Sequence, residues 1–369
     1  MPNGEGKYVR YSSGVEVKQP TEDADIQGCL EVLKRMQVRA HEKHRYAVRG
    51  AHAKSHGLLK AELKIYDNLP EELAQGIAKT PTAYPVIIRL STAAPDIYHD
   101  AIASYRGFAI KLIGVPGKKL HPEPHERDAV TQDFILANGK NLPTHTVHDY
   151  LKQVHMGDRL LILPQPVAKW ATVGMRAVAA TMRAFGSDYI GGCAGQAMPL
   201  THFLGNSFYT TTPVRWGDYV AKLNVEPASE SLKALRGIPT GMSNRNVLRD
   251  SIVEFFRKNS VEYEFRAQLC TDLKRMPVED GYVEWPEDES AYRAFGKISI
   301  PAQEAYTPTR RAYVDDVLSW NPWHCIEEHQ PLGSLMRVRR QAYFAASSYR
   351  HRANAMPIKE PTSIDDIPD

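Results

Sequence analysis

The sequence predicts an α+β fold, an antiparallel sheet or barrel flanked by helices. Two patterns predict it. From Phe208 onward, short β-prone runs alternate with turns, the spacing of an antiparallel sheet. Near both ends of the chain, apolar residues recur instead at a helical period. No internal repeat, low-complexity tract or Pro/Gly-rich linker divides the 369 residues, so one domain with long elaborations is expected.

Taken in order, residues 1–24 are polar and irregular and read as a flexible arm. Ala24–Val48 reads as a helix, with Ile26, Leu30, Leu33 and Met36 on one stripe. The basic run His41–Arg45 ends it on a solvated face. Leu58–Ile65, Val86–Leu90, Ser104–Leu112 and Phe134–Leu136 read as strands, the last stopped by the turn pair Asn138-Gly139. Pro70–Ala78 reads as a short helix with Glu71 and Glu72 in its first turn, and Gly114–Gly117 as a turn. Val147–Met156 and Val167–Arg183 read as helices. Phe208–Thr212, Gly217–Val225, Ser260–Leu269, Gly281–Trp285 and Phe295–Ile300 are the later strands, with a helix at Asn244–Phe256. Ser334–Tyr349 is helical, and 357–369 is an acidic tail whose end, Ile364–Asp369, is expected to fray.

Composition narrows the function. At 43% hydrophobic and 24% charged, the chain can bury a core as a soluble protein does. A net charge of +3 leaves no footprint for nucleic acid or an anionic membrane. No apolar run approaches the roughly 18 residues of a membrane helix, and no secretory signal is visible, so a cytoplasmic location without membrane insertion is expected. Cys29, Cys193, Cys270 and Cys325 are scattered, with no Cys-x-x-Cys pair. That argues against a zinc ribbon or a covalently attached haem and for four free thiols.

Three stretches carry chemistry. Arg49–Gly57 reads Arg-Gly-Ala-His-Ala-Lys-Ser-His-Gly, and His52 in it has the titration range of a proton shuttle. Alone it is one of fourteen histidines, any of which can be solvated or packed. Arg339, Tyr343 and Arg350 share one helical face. They fit either plain packing with snorkelling cations or a phenolate that ligates ferric iron, the anion favoured by metal and guanidinium. In Val86–Thr92, Arg89 and Ser91 point to one face of a strand. Either that face is a solvated edge, or an inward Arg89 needs an anion such as a carboxylate, with Ser91 free to orient an imidazole.

Taken together, and in this order, Arg49-x-x-His52-Ala-Lys-x-x-Gly57, Arg89-Leu-Ser-Thr92, Arg106-Gly-Phe-Ala-Ile-Lys111 and Arg339-x-x-x-Tyr343 resemble the motif set of haem catalases. Gly217-Asp-Tyr-Val-Ala-Lys222 and Met276-Pro-Val-Glu-Asp-Gly-Tyr-Val-Glu-Trp-Pro286 resemble the small single-domain branch, the catalase-related peroxidases or mini-catalases. The likeness runs over 25–356. It implies a closed antiparallel β-barrel around which helices hold haem b. By this resemblance Tyr343 is the axial iron ligand, and Arg339 keeps it ionised. Arg49, Arg89 and Arg350 clamp the propionates. His52 is the distal acid–base residue, Ser91 holds its ring, and Asn138 hydrogen-bonds the peroxide. Arg49 and His52 are three apart, on opposite faces of a regular strand, so only the resemblance places both at the haem.

The resemblance implies reduction of hydrogen peroxide or organic peroxides through a ferryl intermediate. A second peroxide or an unknown reductant closes the cycle, and a homodimer or other homo-oligomer is the expected assembly. Two departures bear on this. Large catalases follow the distal asparagine with a Phe-rich stretch, whereas here Gly-Lys-Asn-Leu-Pro-Thr follows Asn138. Ser104 stands near the place of a channel aspartate. The pocket is therefore expected to be more polar and open. Alternatives are rearrangement of fatty-acid hydroperoxides, as in catalase-like allene oxide synthases, a specialised oxidation, and non-catalytic haem binding. Ala51, where the allene oxide synthases carry Thr, speaks against the first.

Overall fold

The computed structural model describes residues 6–120, 123, 126–160, 163–185, 195 and 197–369. Cys193 and residues 1–5 lie outside them. The strands are β1 (Lys54–Ile65), β2 (Ala83–Thr92), β3 (Arg106–Ile113), β4 (Thr131–Ala137), β5 (Phe208–Tyr209), β6 (Val214–Trp216), β7 (Tyr219–Pro227), β8 (Val261–Leu269) and β9 (Arg293–Ile300). The helices are α1 (Glu22–His44), α2 (Val147–Leu160), α3 (Gln165–Ala184), α4 (Glu230–Lys233), α5 (Val247–Phe256), α6 (Pro308–Ala312) and α7 (Ser334–Ala353).

These strands form one antiparallel sheet in the order β5-β4-β3-β2-β1-β9-β8-β7-β6, and β5 pairs with β7 as well as with β4. The second pairing closes eight strands into a barrel and leaves β6 as a spur on β7. Alternation then decides the two faces. On β2, Val86, Ile88 and Leu90 join the barrel core, while Ile87 packs outside against Leu58, Ala109 and Ile113. The interior is filled by rings such as Phe108, Phe208 and Tyr263, with centroids 5.0 and 5.5 Å from Phe108. By the same alternation Arg89 and Ser91, like Ile87, face outward from β2.

Two layers cover that outer face. The first is α1, α2 and α7, joined by Ile26, Cys29, Val32, Met36, Val147, Val154 and Val338. The second is a wide turn, Tyr313–Val317, that continues α6. Its closing bond runs from the Leu318 N–H to the Tyr313 carbonyl at 3.1 Å, five residues back. Val314, Leu318 and Trp320 pack with Leu58, Ile87 and Ala109.

The C-terminal residues, expected to fray, are pinned against this second layer. Ile367 is buried in the same cluster, and Arg310 Nε donates to the Pro368 carbonyl at 2.9 Å. A buried ion network fastens the tail from the other side. Lys111, fully buried, places Nζ 2.7 Å from both Asp133 and Glu360. Burial depresses the Lys111 pKa, but the two carboxylates hold it above its ordinary value. The N-terminal stretch is also tied down from Val9, whose N–H donates to the Cys270 carbonyl at 2.8 Å, and Val15 is buried.

Three expected elements differ. Pro70–Ala78 forms turns and only one helical turn, Gly76–Ala78, because Gly76 enters it at φ 49°. Phe208–Thr212 keeps strand pairing only to Tyr209, because Thr211 sits at φ 62°. Gly281–Trp285 is not a strand: the Gly281 N–H and C=O are taken by His145 and Leu142 of a neighbouring loop. The spur β6 falls in a stretch with no expected strand. Cys29, Cys270 and Cys325 are separate buried thiols, as expected.

Removing one partner of a buried ion cluster leaves the others uncompensated. Lys111→Met should therefore cost about 3–5 kcal/mol in urea unfolding, and a loss under about 1 kcal/mol would contradict the role given to this network.

Candidate active site

Arg89 and Ser91 leave β2 on its outer face, opposite Ala109 and Gly107 of β3. His52 lies in the loop before β1, at φ 52°. A left-handed histidine costs backbone strain and persists only where its surroundings impose it. Here they do. The His52 N–H donates to the Ala93 carbonyl at 3.2 Å, and its carbonyl accepts from Arg89 at 2.6 Å. Its Nδ1 lies 3.0 Å from Ser91 Oγ.

The Nδ1–Cε1 side of the ring lies against a glycine. A Cβ at Gly107 would stand 2.6 Å from His52 Nδ1 and Cε1 and 2.8 Å from Ser91 Oγ. Gly107 thus belongs to the site, although its role was not read from the sequence. The signal was present in Arg106-Gly-Phe, a glycine inside a strand that marks close approach of another group.

Asn138 follows Ala137, the cross-strand partner of Gly107, and so reaches the same corner. Its Oδ1 accepts from the Arg106 N–H at 2.8 Å. Its Nδ2 has a 3.5 Å contact with Asn206 Oδ1, which leaves donor capacity on the amide nitrogen.

The three arginines are brought together. Arg49 NH2 donates to the carbonyls of Val314 and Leu318 at 2.6 and 2.7 Å. Arg350 NH2 donates to the Leu318 carbonyl at 3.0 Å, and its NH1 donates to the Asp315 carbonyl. Arg89 lies 3.8 Å from the Asp315 carboxylate. The wide turn after α6 is therefore the common acceptor. Burial, then the neighbouring guanidiniums, lowers the pKa of Arg49 well below its ordinary range. Burial depresses Arg89, an effect that Asp315 opposes in part. Arg350 falls to about 10 through burial, with Asp315 opposing and Arg89 adding repulsion.

The supply of acceptors is incomplete. The Nε atoms of Arg49 and Arg89 are buried and have no hydrogen-bond partner. Buried donors of this kind cost stability unless a ligand meets them. The set fits a group that brings carboxylates.

Tyr343 and Arg339 approach from α7. Arg339 contributes to the field at His52, and Tyr343 to the field at Arg89, so the helix face and the His52 loop confront one another. Their separation is fixed elsewhere. Gln37 Nε2 donates both to the Val48 carbonyl, beside Arg49, and to the Ala346 carbonyl of α7, at 3.3 and 3.0 Å. Asn354 exchanges two hydrogen bonds with the Ala47 backbone. Every residue expected at the site thus lies on the outer face of β2–β4 or on the α7 face and loop that meet it. Arg49 reaches it from an irregular loop, which removes the obstacle posed by strand spacing.

His52 is held neutral. Burial, followed by Arg89, Arg339 and Arg49, lowers its pKa from 6.5 to about 3. A depressed folded-state value means the neutral ring persists as pH falls below 6.5, and the stability it contributes is lost on the way to about 3. In the tautomer that carries its proton on Nδ1, facing Ser91 Oγ, Nε2 has the free lone pair of a general base.

No protein-family model and no curated protein matches the chain. Solved structures do. A fungal catalase superposes with a TM-score of 0.57 at 16% identity, over 85% of this chain and 61% of its own. Catalase A from Saccharomyces cerevisiae gives 0.58 at 16%, over 85% and 63%. A bacterial catalase gives 0.55 at 13%, over 88% and 63%. The fold is catalase-like, and the matched part spans less than two thirds of those longer chains.

Two outcomes follow from this geometry. Gly107→Ala should push the His52 ring aside and slow its chemistry by about 10²-fold with little loss of stability; rates within about twofold of the parent would show that the glycine does not position the ring. The His52-dependent rate should stay flat from about pH 5 to 8; an acid limb centred near 6.5 would contradict the field described at His52.

Proposed function

We propose that the chain is a haem-dependent oxidoreductase that reduces hydrogen peroxide or an organic peroxide. The observation that carries this reading is the conjunction at one face of the barrel. A neutral histidine held by Ser91 lies there beside Arg49, Arg89 and Arg350, and the first two each keep a buried Nε without a partner. Haem carries two propionates, and Arg49, Arg89 and Arg350 would hold them, because guanidiniums pair with carboxylates in a bidentate fork. Tyr343 would hold the iron from α7, with Arg339 one helical turn before it on the same face. Haem supplies the redox-active iron.

The chain's own residues do the rest. His52 Nε2 takes a proton from one peroxide oxygen and returns it to the other, so that water leaves in place of hydroxide. Ser91 and Gly107 fix the ring for both transfers. Asn138 offers its amide N–H groups to the polarising oxygen pair. Burial, and then Arg89, Arg339 and Arg49, keep His52 unprotonated between turnovers. Overall, peroxide takes up two electrons and two protons and becomes two waters. No helix among the described residues is long and apolar enough to cross a membrane, and we place the enzyme in the cytoplasm.

The experiment is a pair of variants of the haem-loaded protein. His52→Phe should keep the haem spectrum and lose about 10²–10⁴-fold in peroxide turnover, the span of a positioned proton shuttle. Tyr343→Phe should lose haem or shift its visible spectrum. Turnover that survives in the first, or an unchanged spectrum in the second, would refute the assignment.

A further inference from the structure

Helix α3 carries its apolar stripe outward. Val167, Trp170, Val178 and, just past the helix, Phe185 follow the three-and-four spacing of one helical face. All four are exposed, Trp170 to 72% and Phe185 to 86%. Among the described side chains of α3, every exposed one is uncharged. The opposite face is the seated one. Thr172 and Ala179 are buried there. Gln165 Nε2 donates to the Ile97 carbonyl at 3.4 Å, and Arg176 NH1 to that of Ala101 at 3.5 Å. Contiguous exposed apolar surface marks a site of interaction.

Charge selects the partner. The 29 residues from Arg159 to Ser187 contain Arg159, Lys169, Arg176 and Arg183 and no Asp or Glu. Those four leave 42 Lys and Arg among the other 340 residues, against all 43 Asp and Glu, so this segment accounts for the net positive charge of the chain. Lys169 and Arg176 donate to the carbonyls of Met242 and Ala101, and neither meets a carboxylate among the described residues. A helix with its side chains is about 10 Å across, comparable with the Debye length at physiological salt. These charges therefore act through the helix on whatever covers its apolar face. A second copy of the chain fits poorly, because pairing this face with itself adds positive to positive with no acid in the segment. An anionic lipid surface fits. An apolar stripe bearing Trp and Phe, backed by cations, is the pattern of a helix that lies in the headgroup plane.

We infer that α3 seats the protein on an anionic lipid surface, with Trp170 and Phe185 entering the headgroup layer. The helix lies along the membrane, in keeping with its being too short of apolar residues to cross one. The loop beneath α3 joins β2 to β3, and its Ala93 carbonyl takes the His52 N–H, so the docked face adjoins the candidate active site.

The test is flotation of the protein with vesicles of equal parts phosphatidylcholine and phosphatidylglycerol. It needs no haem chemistry, so its outcome is independent of the function proposed above. The parent should float with these vesicles and bind phosphatidylcholine alone about tenfold more weakly. Trp170→Glu and Val178→Glu, both at exposed positions, should each weaken binding at least about tenfold. An unchanged urea-unfolding midpoint reports that the variants are folded. No flotation of the parent, equal flotation of parent and variants, or equal binding of the parent to both lipids overturns the inference. A parent that sediments as a dimer which Trp170→Glu splits, with no vesicle binding by either, assigns the face to a second copy and refutes the lipid.

Discussion

Three guanidiniums are buried in one place, and most of the architecture around them answers that fact. Arg49, Arg89 and Arg350 come from a loop, a strand and a helix far apart in sequence; beyond burial, Arg350 and Arg89 lower the pKa of Arg49, and Arg89 lowers that of Arg350. Charges brought this close out of water repel one another strongly, and desolvation adds to the cost. The wide turn at Tyr313–Val317 offsets part of it by presenting the carbonyls of Val314 and Asp315 and of the following Leu318. The pinned C-terminal residues and the Lys111 network hold that turn against β2 and β3. What remains uncompensated is directional: two buried Nε groups that only an added acceptor can satisfy.

The same cluster sets the chemistry of His52. A histidine of ordinary pKa would be partly protonated near neutral pH and a poor base. Burial and the nearby cations remove that ambiguity. The ring is kept in register by Ser91 on one side and by the missing side chain of Gly107 beneath. Strain at the His52 backbone is balanced by Arg89, so one side chain both supports the loop and tunes the base within it.

Much of this was legible in the sequence. The alternation in Val86–Thr92 placed Arg89 and Ser91 on one face, and the structure puts both at His52. The helical spacing of Arg339 and Tyr343 likewise put them on one face of α7. Barrel strands with strict alternation were found to within a few residues. The errors share a cause, which is backbone conformation that residue type does not announce. Thr211 in the left-handed region ends β5, and the backbone partners of Gly281 come from a distant loop. Arg49 could not be placed by spacing, because Gln37 and Asn354 fix its loop from elsewhere in the chain. The tail looked frayed because its acidic residues suggested solvent, whereas Glu360 meets a buried lysine.

The central claim is that this face of the barrel holds haem in order to reduce peroxide. Its most direct measurement is hydrogen peroxide loss by the haem-loaded protein, followed with an oxygen electrode, with and without a phenolic reductant. The account predicts peroxide loss that depends on the phenol and releases little oxygen. A normal haem spectrum with no peroxide loss under either condition would contradict it.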